Sequence, residues 1–582
     1  MLAAARALPL PAVAEAGAAT VESAMRRLHA AWPAWNATPL PERCAILLRA
    51  ADRLEQRRDA FIALMQREAH KTLGDALSEV REAADFCRYY ALQARHLLAE
   101  QELPGPTGER NALRSSGRGV FVCISPWNFP LAIFAGQVLA ALVAGNCVAA
   151  KPAEQTPATA QAFVALLHEA GLPPQVLALL HGPGETVGAA LVAHPLAAGV
   201  AFTGSTAVAR HINRTLAAKD GPIAPLIAET GGVNAMIVDS TALPEQVVDA
   251  AVSSAFRSAG QRCSALRLLC VQDDVADAML AMLAGAMQEL RLGEASDFAT
   301  DVPSVIDAEA WHGLRAQTER LQRDAQLLAR TPWPAALLDA ARPAPPSNLP
   351  DGMGEERTAP GETRNAPPNL SHGVGEEQKR SHSTVMAEQA GAKDAGVASG
   401  QFGPLPTGRE GWGGDLASAA RAALALRIPE IALLPGAQPA DRTLHFIAPS
   451  LFAIGGVADV AKARDEIFGP VLQVVRWKAG ELDALIDAIN ALGYGLTLGV
   501  QTRIDGRALR IAQRARCGNV YVNRNMIGAV VGVQPFGGEG LSGTGPKAGG
   551  PHYLLRFCSE QTLTINTAAA GGNAALLAQA AV

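Results

Sequence analysis

Short apolar segments alternate with longer amphipathic segments along most of the chain. Residues 119–125 and 199–203 are short apolar runs, whereas residues 156–170 and 245–259 carry apolar side chains at the three-to-four spacing of a helix face. Strands that alternate with helices form a parallel sheet covered on both faces. The pattern therefore predicts an α/β fold.

The long apolar segment at residues 131–150 needs a separate interpretation, because its length approaches that of a membrane span. Gln137, the turn-forming pair Gly145-Asn146 and the following Lys151 interrupt its apolar character. We therefore predict a buried helix, a turn and a short strand at 147–150, and no membrane span.

Residues 341–440 break the alternation. They are rich in Pro, Gly, Glu and Ser, and the segment at 348–356 is repeated in similar form at 369–377. Such a composition buries too little apolar surface to offset the entropy lost on ordering. We predict a surface insert that is disordered at about 345–410, with a partner-binding arm as the functional alternative.

Composition narrows the classes of function. The chain has 582 residues, 49% of them hydrophobic, and a net charge of −5 without a basic stripe, so we expect two or three domains and no nucleic-acid partner. Its eight cysteines form no Cys-x-x-Cys pair, which argues against structural zinc and disulfides. We expect a reducing, cytoplasmic location and no metal site.

Three separated motifs supply candidate chemistry. Cys263 follows a Gly-Gln-Arg sequence, and Arg262 and Arg267 predict a positive environment that favours a thiolate. Glu229 stands between an apolar run and Thr-Gly-Gly, where a strand is expected to end. Asn128, in Ser-Pro-Trp-Asn-Phe-Pro, offers an amide donor.

These motifs resemble the aldehyde dehydrogenase superfamily, from about residue 20 to about residue 570 apart from the insert. The resemblance implies that Cys263 is the nucleophile, Glu229 the general base and Asn128 an oxyanion donor. It also implies an aldehyde dehydrogenase fold, with a Rossmann-like NAD-binding domain, an α/β catalytic domain and a β-hairpin oligomerisation flap. A Gly-x-Gly-x-x-Gly fingerprint is absent from this sequence.

The resemblance also sets the expected domain boundaries. They are an N-terminal tail at 1–19, an NAD-binding domain at 20–228 with flap strands near 100–118, a catalytic domain at 229–340 and 441–535 around the insert at 341–440, a return to the NAD-binding domain and flap at 536–570, and a C-terminal tail at 571–582.

The resemblance implies NAD as the cofactor. Lys151 and Glu154, just after a predicted strand, match residues that bind the adenosine ribose, and Glu154 is expected to repel a 2′-phosphate and so disfavour NADP. Glu466 and Phe468 match the element that holds the nicotinamide end. The remaining expected cofactor residues are Ile124, Ser125, Pro126, Trp127, Ala153, Gly184, Gly188, Phe202, Thr203, Gly204, Ser205, Thr230 and Gly231.

The Gly-dense segment at 525–550 and the Glu-Thr-Gly-Gly form of the Glu229 motif resemble the glutamate-γ-semialdehyde (Δ1-pyrroline-5-carboxylate) dehydrogenases. In that branch the substrate carboxylate is held by residues that match Gly528, Ala529 and Ser264. The resemblance thus implies oxidation of this semialdehyde. The residues expected to contact substrate are Phe129, Arg262, Ser264, Gly528, Ala529 and Phe536.

The C-terminal segment at 562–573 resembles the end of the same module in bifunctional proline utilization A proteins. Those proteins carry a proline dehydrogenase upstream, a segment without counterpart here. We therefore expect either a gene fragment or a proline dehydrogenase on another chain, and a homodimer formed through the flap. The alternatives are a dehydrogenase of another small aldehyde such as succinate semialdehyde, a non-catalytic assembly protein, and a Cys hydrolase, which lacks a His partner near the motif.

Overall fold

The computed structural model describes residues 13–334 and 444–567, together with Leu2, Arg6 and Leu10. The predicted insert at 341–440 and the predicted C-terminal tail at 571–582 lie outside the described residues. The predicted N-terminal tail at 1–19 is described only in part.

The described residues form helices that we number in chain order. They are α1 (Ala18–Ala37), α2 (Leu40–Gln56), α3 (Arg58–Glu68), α4 (Leu73–Leu97), α5 (Ala132–Val143), α6 (Pro157–Glu169), α7 (Ala189–Ala193), α8 (Thr206–Ala217), α9 (Pro244–Phe256), α10 (Asp273–Glu289), α11 (Ala308–Asp324), α12 (Leu482–Ala491) and α13 (Asp505–Arg514).

The strands are numbered in the same way. They are β1 (Gln101–Leu103), β2 (Glu109–Gly117), β3 (Val120–Ile124), β4 (Cys147–Lys151), β5 (Leu177–Leu179), β6 (Ala197–Gly204), β7 (Leu226–Thr230), β8 (Asn234–Val238), β9 (Leu266–Gln272), β10 (Gln326–Arg330), β11 (Ser450–Gly455), β12 (Val471–Trp477), β13 (Tyr494–Gly495), β14 (Thr497–Gln501), β15 (Asn519–Val522), β16 (Glu539–Gly540) and β17 (Cys558–Asn566).

A parallel sheet with strand order β5-β4-β3-β6-β7 forms the first layer. Every residue of β4 is buried, and its alanines let helices approach closely on both faces. The chain starts at the central strand β3, moves outward through β4 and β5, and returns to β6 and β7 on the other side. The order therefore reverses between β3 and β6, the place where open α/β sheets bind ligands.

The apolar segment at 131–150 folds as predicted, into α5, a turn and β4. Gly145 makes the turn with φ +93°, a conformation that favours glycine. Asn146 is fully buried and accepts hydrogen bonds from the backbone N–H groups of Arg118 and Gly119 at 2.7 and 3.2 Å. In the described part of the chain, no helix is long and apolar enough to cross a membrane.

The second main sheet has strand order β10-β11-β12-β9-β8-β14-β15. It is parallel except for the edge pair β10–β11, so the predicted α/β alternation continues here. Apolar side chains cover both faces of this sheet and form two clusters, one of which is centred on α9 and α10. The predicted boundary between residues 228 and 229 falls inside β7 of the first sheet.

A three-stranded antiparallel sheet combines β1, β2 and β17. β2 pairs with β17 along its whole length, from Gly117 opposite Cys558 to Glu109 opposite Asn566. β1 and β2 lie in the region near 100–118 where flap strands were expected. Most side chains of β17 are exposed, and β1 and β17 each leave one edge unpaired among the described strands.

Candidate active site

A cavity of about 560 Å³ opens where the first sheet, α4, the Cys263 loop and the Gly-dense segment meet. Cys263 and Glu229 both line it, although they lie far apart in sequence. Cys263 is partly exposed rather than sealed in the core. The cavity therefore brings the expected sulfur and carboxylate together in a space large enough for a small metabolite.

The backbone before Cys263 has an uncommon conformation. Ser258, Ala259 and Gly260 have φ values of +56°, +52° and +68°. Such angles cost a non-glycine residue about 1 kcal/mol or more. At Gly260 a side chain would meet the Gly469 carbonyl oxygen at 2.3 Å, so only glycine fits. Contacts outside the loop have to hold this turn in place.

Asp75, in the first turn of α4, supplies those contacts. Its carboxylate forms ion pairs with Arg257 and, at 2.8 Å, with Arg262, and accepts a 2.6 Å hydrogen bond from Ser258 Oγ. Burial would raise the pKa of Asp75, but the guanidinium groups of Arg262 and Arg257 outweigh it and lower the pKa to about 2. One buried carboxylate thus fixes three residues that surround the turn.

The segment after Cys263 is held by two further buried side chains. Asn234 Nδ2 donates to the carbonyl oxygens of Cys263 at 2.6 Å and Ala265 at 3.0 Å. Arg267 donates to the carbonyl oxygens of Gly469 at 3.0 Å and Arg262 at 3.1 Å. The nucleophile loop is therefore fixed on both sides of the cysteine.

The electrostatic expectation for Cys263 is wrong. Burial raises the pKa of its thiol to about 12, and Glu466 and Glu229 add to the increase. Arg262 acts in the opposite direction but has the smaller effect, because Asp75 neutralises it. The sequence shows which cations are near the cysteine, but not that they are already paired.

Glu229 lies at the end of β7 beside the Gly-dense segment. Its Oε2 accepts a 3.1 Å hydrogen bond from the Gly538 N–H, and its Oε1 has no hydrogen-bond partner among the described residues. Burial raises the pKa of Glu229 to about 8, with partial compensation from the Gly538 N–H and Lys547. A carboxyl group of this kind exchanges protons near neutral pH, which suits a general base.

Asn128 is close to the Cys263 loop but does not line the cavity. Its side-chain Nδ2 donates to the Gln261 backbone carbonyl oxygen at 3.0 Å, and the backbone carbonyl oxygen of Asn128 accepts from Lys71 Nζ at 2.7 Å. One amide hydrogen stays available beyond this bond. Its role as an oxyanion donor stays a prediction.

The expected adenosine residues follow the carboxyl end of β4. Lys151 is buried and forms a 3.1 Å ion pair with the exposed Glu154. Gly184 and Gly188 lie beside this pair, since a Cβ on each would come within 3.6 Å of Glu154 and Lys151 respectively. The remaining neighbour, Ala153, is buried.

Strand register places other expected cofactor residues at the same sheet edge. Ile124 pairs with Lys151 on β4 and with Phe202 on β6, and Thr203 pairs with Glu229 on β7. The sheet edge also carries Ser125, Pro126 and Trp127 after β3, Gly204 and Ser205 at the end of β6, and Thr230 and Gly231 at the end of β7. Ser205 caps α8, as a phosphate-facing helix start would require.

Glu466 and Phe468 approach this edge from the second sheet. A Cβ on Gly231 would lie 1.9 Å from Glu466 Oε2, so a larger residue there would displace the Glu466 carboxylate. Burial raises the pKa of Glu466, and its Oε1 lacks a hydrogen bond within the described chain. Phe468 contacts Trp127 edge-on, with ring centroids 5.7 Å apart. A buried acceptor without a donor is consistent with binding a hydroxyl group.

All six expected substrate residues line the cavity. They are Phe129, Arg262, Ser264, Gly528, Ala529 and Phe536. Arg262 is committed to Asp75 and lies 5.3 Å from the Phe129 ring centroid, so it acts as part of the wall more than as a free cation. Gly528 has φ +72° and open space where a Cβ would point.

The sequence analysis missed an acidic face of α4. Asp75, Glu79, Glu82 and Asp85 line the cavity at helical spacing. Asp75 and Glu79 have cationic partners, whereas Glu82 has no hydrogen bond or ion pair among the described residues. Burial and Glu79 raise the pKa of Glu82 to about 7. The i, i+4, i+7 acidic spacing was the available signal, but it also fits a solvated helix face.

Comparison with known families identifies the class of protein. The sequence matches the aldehyde dehydrogenase family over residues 4–333 and 429–563, and the chain belongs to that family. The expected superfamily and the expected α/β fold are both confirmed.

Two relatives show which members of the family this chain is similar to. The chain is 44% identical over 552 residues to the bifunctional protein PutA of Klebsiella aerogenes, covering 94% of this chain and 33% of that protein. It is 31% identical to a 1-pyrroline-5-carboxylate dehydrogenase of Geobacillus sp., covering 95% of this chain and 87% of the relative. The chain thus spans about a third of the PutA relatives.

Solved structures agree with these sequence relatives. A crystal structure of a bifunctional proline utilization A protein superposes with a TM-score of 0.77 at 49% identity, covering 98% of this chain and 47% of that one. A 1-pyrroline-5-carboxylate dehydrogenase from Thermus with bound NAD superposes with a TM-score of 0.73 at 28% sequence identity. The match covers 95% of this chain and 87% of that one.

The raised pKa of Cys263 predicts slow, strongly pH-dependent alkylation of the ligand-free protein. Because only the thiolate reacts, the iodoacetamide rate at Cys263 should rise about tenfold per pH unit between pH 7 and 9, without a plateau. Mass spectrometry of the Cys263 peptide measures this alkylation rate. The peptide that contains Cys517, which is also partly exposed, serves as the internal reference. A plateau near pH 7 would contradict the electrostatic description.

Proposed function

We propose that the protein is an NAD-dependent aldehyde dehydrogenase that oxidises L-glutamate γ-semialdehyde, formed from Δ1-pyrroline-5-carboxylate, to L-glutamate in proline catabolism. One observation carries the proposal. A single cavity joins a partly exposed cysteine and a carboxyl group of raised pKa to the Gly528–Ala529 backbone and the unpaired Glu82. The 1-pyrroline-5-carboxylate dehydrogenase and PutA relatives support the same reaction.

The chemistry starts at Cys263. Its thiol has to lose a proton before attack, and Glu466 and Glu229 both act electrostatically on the sulfur. Glu229 shares the cavity with the sulfur and is the base that we assign. The thiolate adds to the aldehyde carbon, and the Cys263 N–H and Asn128 Nδ2 stabilise the oxyanion, each donor contributing roughly 3 kcal/mol.

Loss of a hydride from the substrate carbon converts the adduct into a thioester. Glu229 releases the thiol proton to solvent and then acts a second time, when the thioester is hydrolysed. It takes a proton from water, the hydroxide adds to the thioester carbonyl carbon, and the tetrahedral intermediate collapses to the carboxylic acid and the Cys263 thiolate. The Gly538 N–H holds one carboxylate oxygen, which leaves Oε1 free to accept that proton.

The residues present fit NAD. When bound, NAD accepts the hydride that leaves the substrate carbon. Lys151 and Glu154 would hold the adenosine ribose. Glu466 Oε1, which lies 3.9 Å from Arg267 Nη2 but accepts no hydrogen bond, would accept one from the nicotinamide ribose. The reversal of strand order between β3 and β6 supports this assignment, since open α/β sheets bind ligands at such a point. The NAD-bound Thermus relative supports this cofactor.

Glu154 favours NAD over NADP in this proposal. Its carboxylate is exposed at the edge where the ribose would lie, and a 2′-phosphate there would meet a like charge. The ion pair between Lys151 and Glu154 partly offsets the negative charge, so the preference for NAD over NADP is partial.

The cavity offers complementary partners for both the carboxylate and the ammonium group of glutamate semialdehyde. Backbone groups of Gly528 and Ala529, with Ser264, offer donors for the carboxylate, and Glu82 offers an acceptor for the ammonium group. Succinate semialdehyde has the carboxylate but no ammonium group, so Glu82 would gain nothing from it. The acidic face of α4 therefore favours the amino-acid aldehyde.

The wider organisation completes the proposal. We propose the two domains given by the sequence, with the boundary predicted at 228/229 moved to the end of β7 at Thr230, a homodimer formed through the β1-β2-β17 sheet, and a cytoplasmic location, which the eight free cysteines favour. A proline dehydrogenase, on this or another chain, would supply the substrate, as the PutA relatives suggest.

NADH production with glutamate semialdehyde tests the proposed reaction. The wild-type protein should turn over this substrate with a kcat/KM about tenfold above that for succinate semialdehyde, because only the amino-acid aldehyde gains a charge-assisted hydrogen bond at the half-buried Glu82, worth about 1.5 kcal/mol. Cys263→Ala should remove turnover, and Cys517→Ala should leave it unchanged. Equal efficiency with both aldehydes, or turnover by Cys263→Ala, would contradict the proposal.

Glu82 should act on substrate binding and not on chemistry. In Glu82→Gln we expect the KM for glutamate semialdehyde to rise about tenfold, since a charge-assisted hydrogen bond is lost, while succinate semialdehyde kinetics stay within twofold. Glu42→Gln, an exposed change on α2, is the matched control. An equal effect on both aldehydes would show that Glu82 is merely structural.

A further inference from the structure

A second cavity, of about 580 Å³, which we call the outer cavity, is lined in part by the Gly-dense segment that also lines the active-site (inner) cavity. Lys547 lines this outer cavity, whereas Glu229 lines the inner one. Gly537 separates the two residues. A Cβ on Gly537 would lie 2.7 Å from Glu229 Oε1 and 3.2 Å from Lys547 Cα. Only one glycine backbone therefore intervenes between the base and the lysine backbone.

A continuous set of backbone contacts runs from Lys547 to the base. Lys547 Nζ donates to the Gly518 carbonyl oxygen. Gly518 contacts Gly537 so closely that a Cβ on Gly518 would lie 1.8 Å from the Gly537 carbonyl oxygen. The next residue, Gly538, donates its N–H to Glu229 Oε2 at 3.1 Å. The lysine ammonium thus anchors the backbone that holds the carboxylate.

Few charged groups act on Glu229. Among the described residues, the titratable side chains that interact with it are Lys547, Cys263 and Tyr553. Burial raises the pKa of Cys263 to about 12 and raises that of Tyr553 well above its ordinary value, so both are neutral near pH 8. The Lys547 ammonium is then the charge that opposes burial and favours the ionised base.

We propose that Lys547 is a positioning residue for Glu229: it holds the Gly537–Gly538 backbone against the carboxylate and favours its ionised form during thioester hydrolysis. The inference rests on the proposed role of Glu229 as the general base. Lys547 lies outside the substrate cavity, and its charge sets the pH range in which Glu229 works as a base.

The sign of the effect is definite. An opposite charge nearby lowers the pKa of a carboxyl group, so removing the charge of Lys547 should raise the pKa of Glu229 above about 8. For a partly solvated pair we expect an increase of about 0.5 to 1 unit. Below that pH, the fraction of ionised base then falls about 3- to 10-fold.

Hydrolysis of p-nitrophenyl acetate isolates this step, because it needs neither NAD nor an aldehyde. Cys263 thiolate attacks the acetyl carbon and expels p-nitrophenolate, which gives an acetyl thioester. Water then adds as Glu229 takes its proton, and acetic acid and thiolate are released. At ester concentrations high enough to make acylation faster than deacylation, a burst of p-nitrophenolate reports acylation and the subsequent linear rate reports deacylation.

In Lys547→Met the linear rate at pH 7 should fall about 3- to 10-fold and recover toward the wild-type value as the pH rises to 10, with the burst amplitude retained. Lys547→Arg, which keeps the charge, should follow the wild-type profile within twofold. Lys478→Met, at an exposed lysine, is the matched control. Thermal melting of each variant reports whether the fold is intact.

Three outcomes would overturn the proposal. They are a Lys547→Met profile that superimposes on the wild type, an equal loss at every pH, and an equal loss in Lys547→Arg. Failure of the proposed function looks different. The wild-type protein would then show this ester hydrolysis without turning over glutamate semialdehyde, or Glu229→Gln would leave the linear rate unchanged.

Discussion

The active site depends on one buried carboxylate, that of Asp75. Its ion pairs with Arg257 and Arg262 and its hydrogen bond from Ser258 hold a turn in which successive residues adopt positive φ angles. A chain released from those contacts would relax toward common backbone angles. Because α4 packs against the first sheet, the same network also attaches the Cys263 loop to that sheet.

The electrostatic state of the site follows from its burial. Removing Cys263 and Glu229 from water disfavours their charged forms, so both begin largely protonated at neutral pH. The nearby cations do not reverse this, because Arg262 serves Asp75 and Arg267 serves backbone carbonyls. Lys547 is different, since its charge lowers the pKa of Glu229 and its Nζ bonds to the Gly518 carbonyl oxygen next to the backbone that holds the carboxylate.

Much of this structure could be predicted from the sequence. The hydrophobic periodicity predicts the strands and helices, and the short motifs indicate the family. The run at 131–150 and the motifs around Cys263 and Glu229 fold as expected. What the sequence could not supply is pairing across long separations. Asp75 looks like an ordinary first-turn acid of a helix, and only the fold brings it to Arg262. For the same reason the thiol pKa was predicted in the wrong direction, and Glu82 and Lys547 went unnoticed.

The most direct test is the turnover of Asp75→Asn, measured together with its thermal stability. Breaking a buried ion pair costs about 3 kcal/mol or more, and if that energy is lost from the loop the competent population falls roughly 100-fold. We therefore expect kcat to fall by about that factor while the far-ultraviolet spectrum stays that of the folded protein. A variant that keeps wild-type turnover would contradict the claim that Asp75 holds the nucleophile in place.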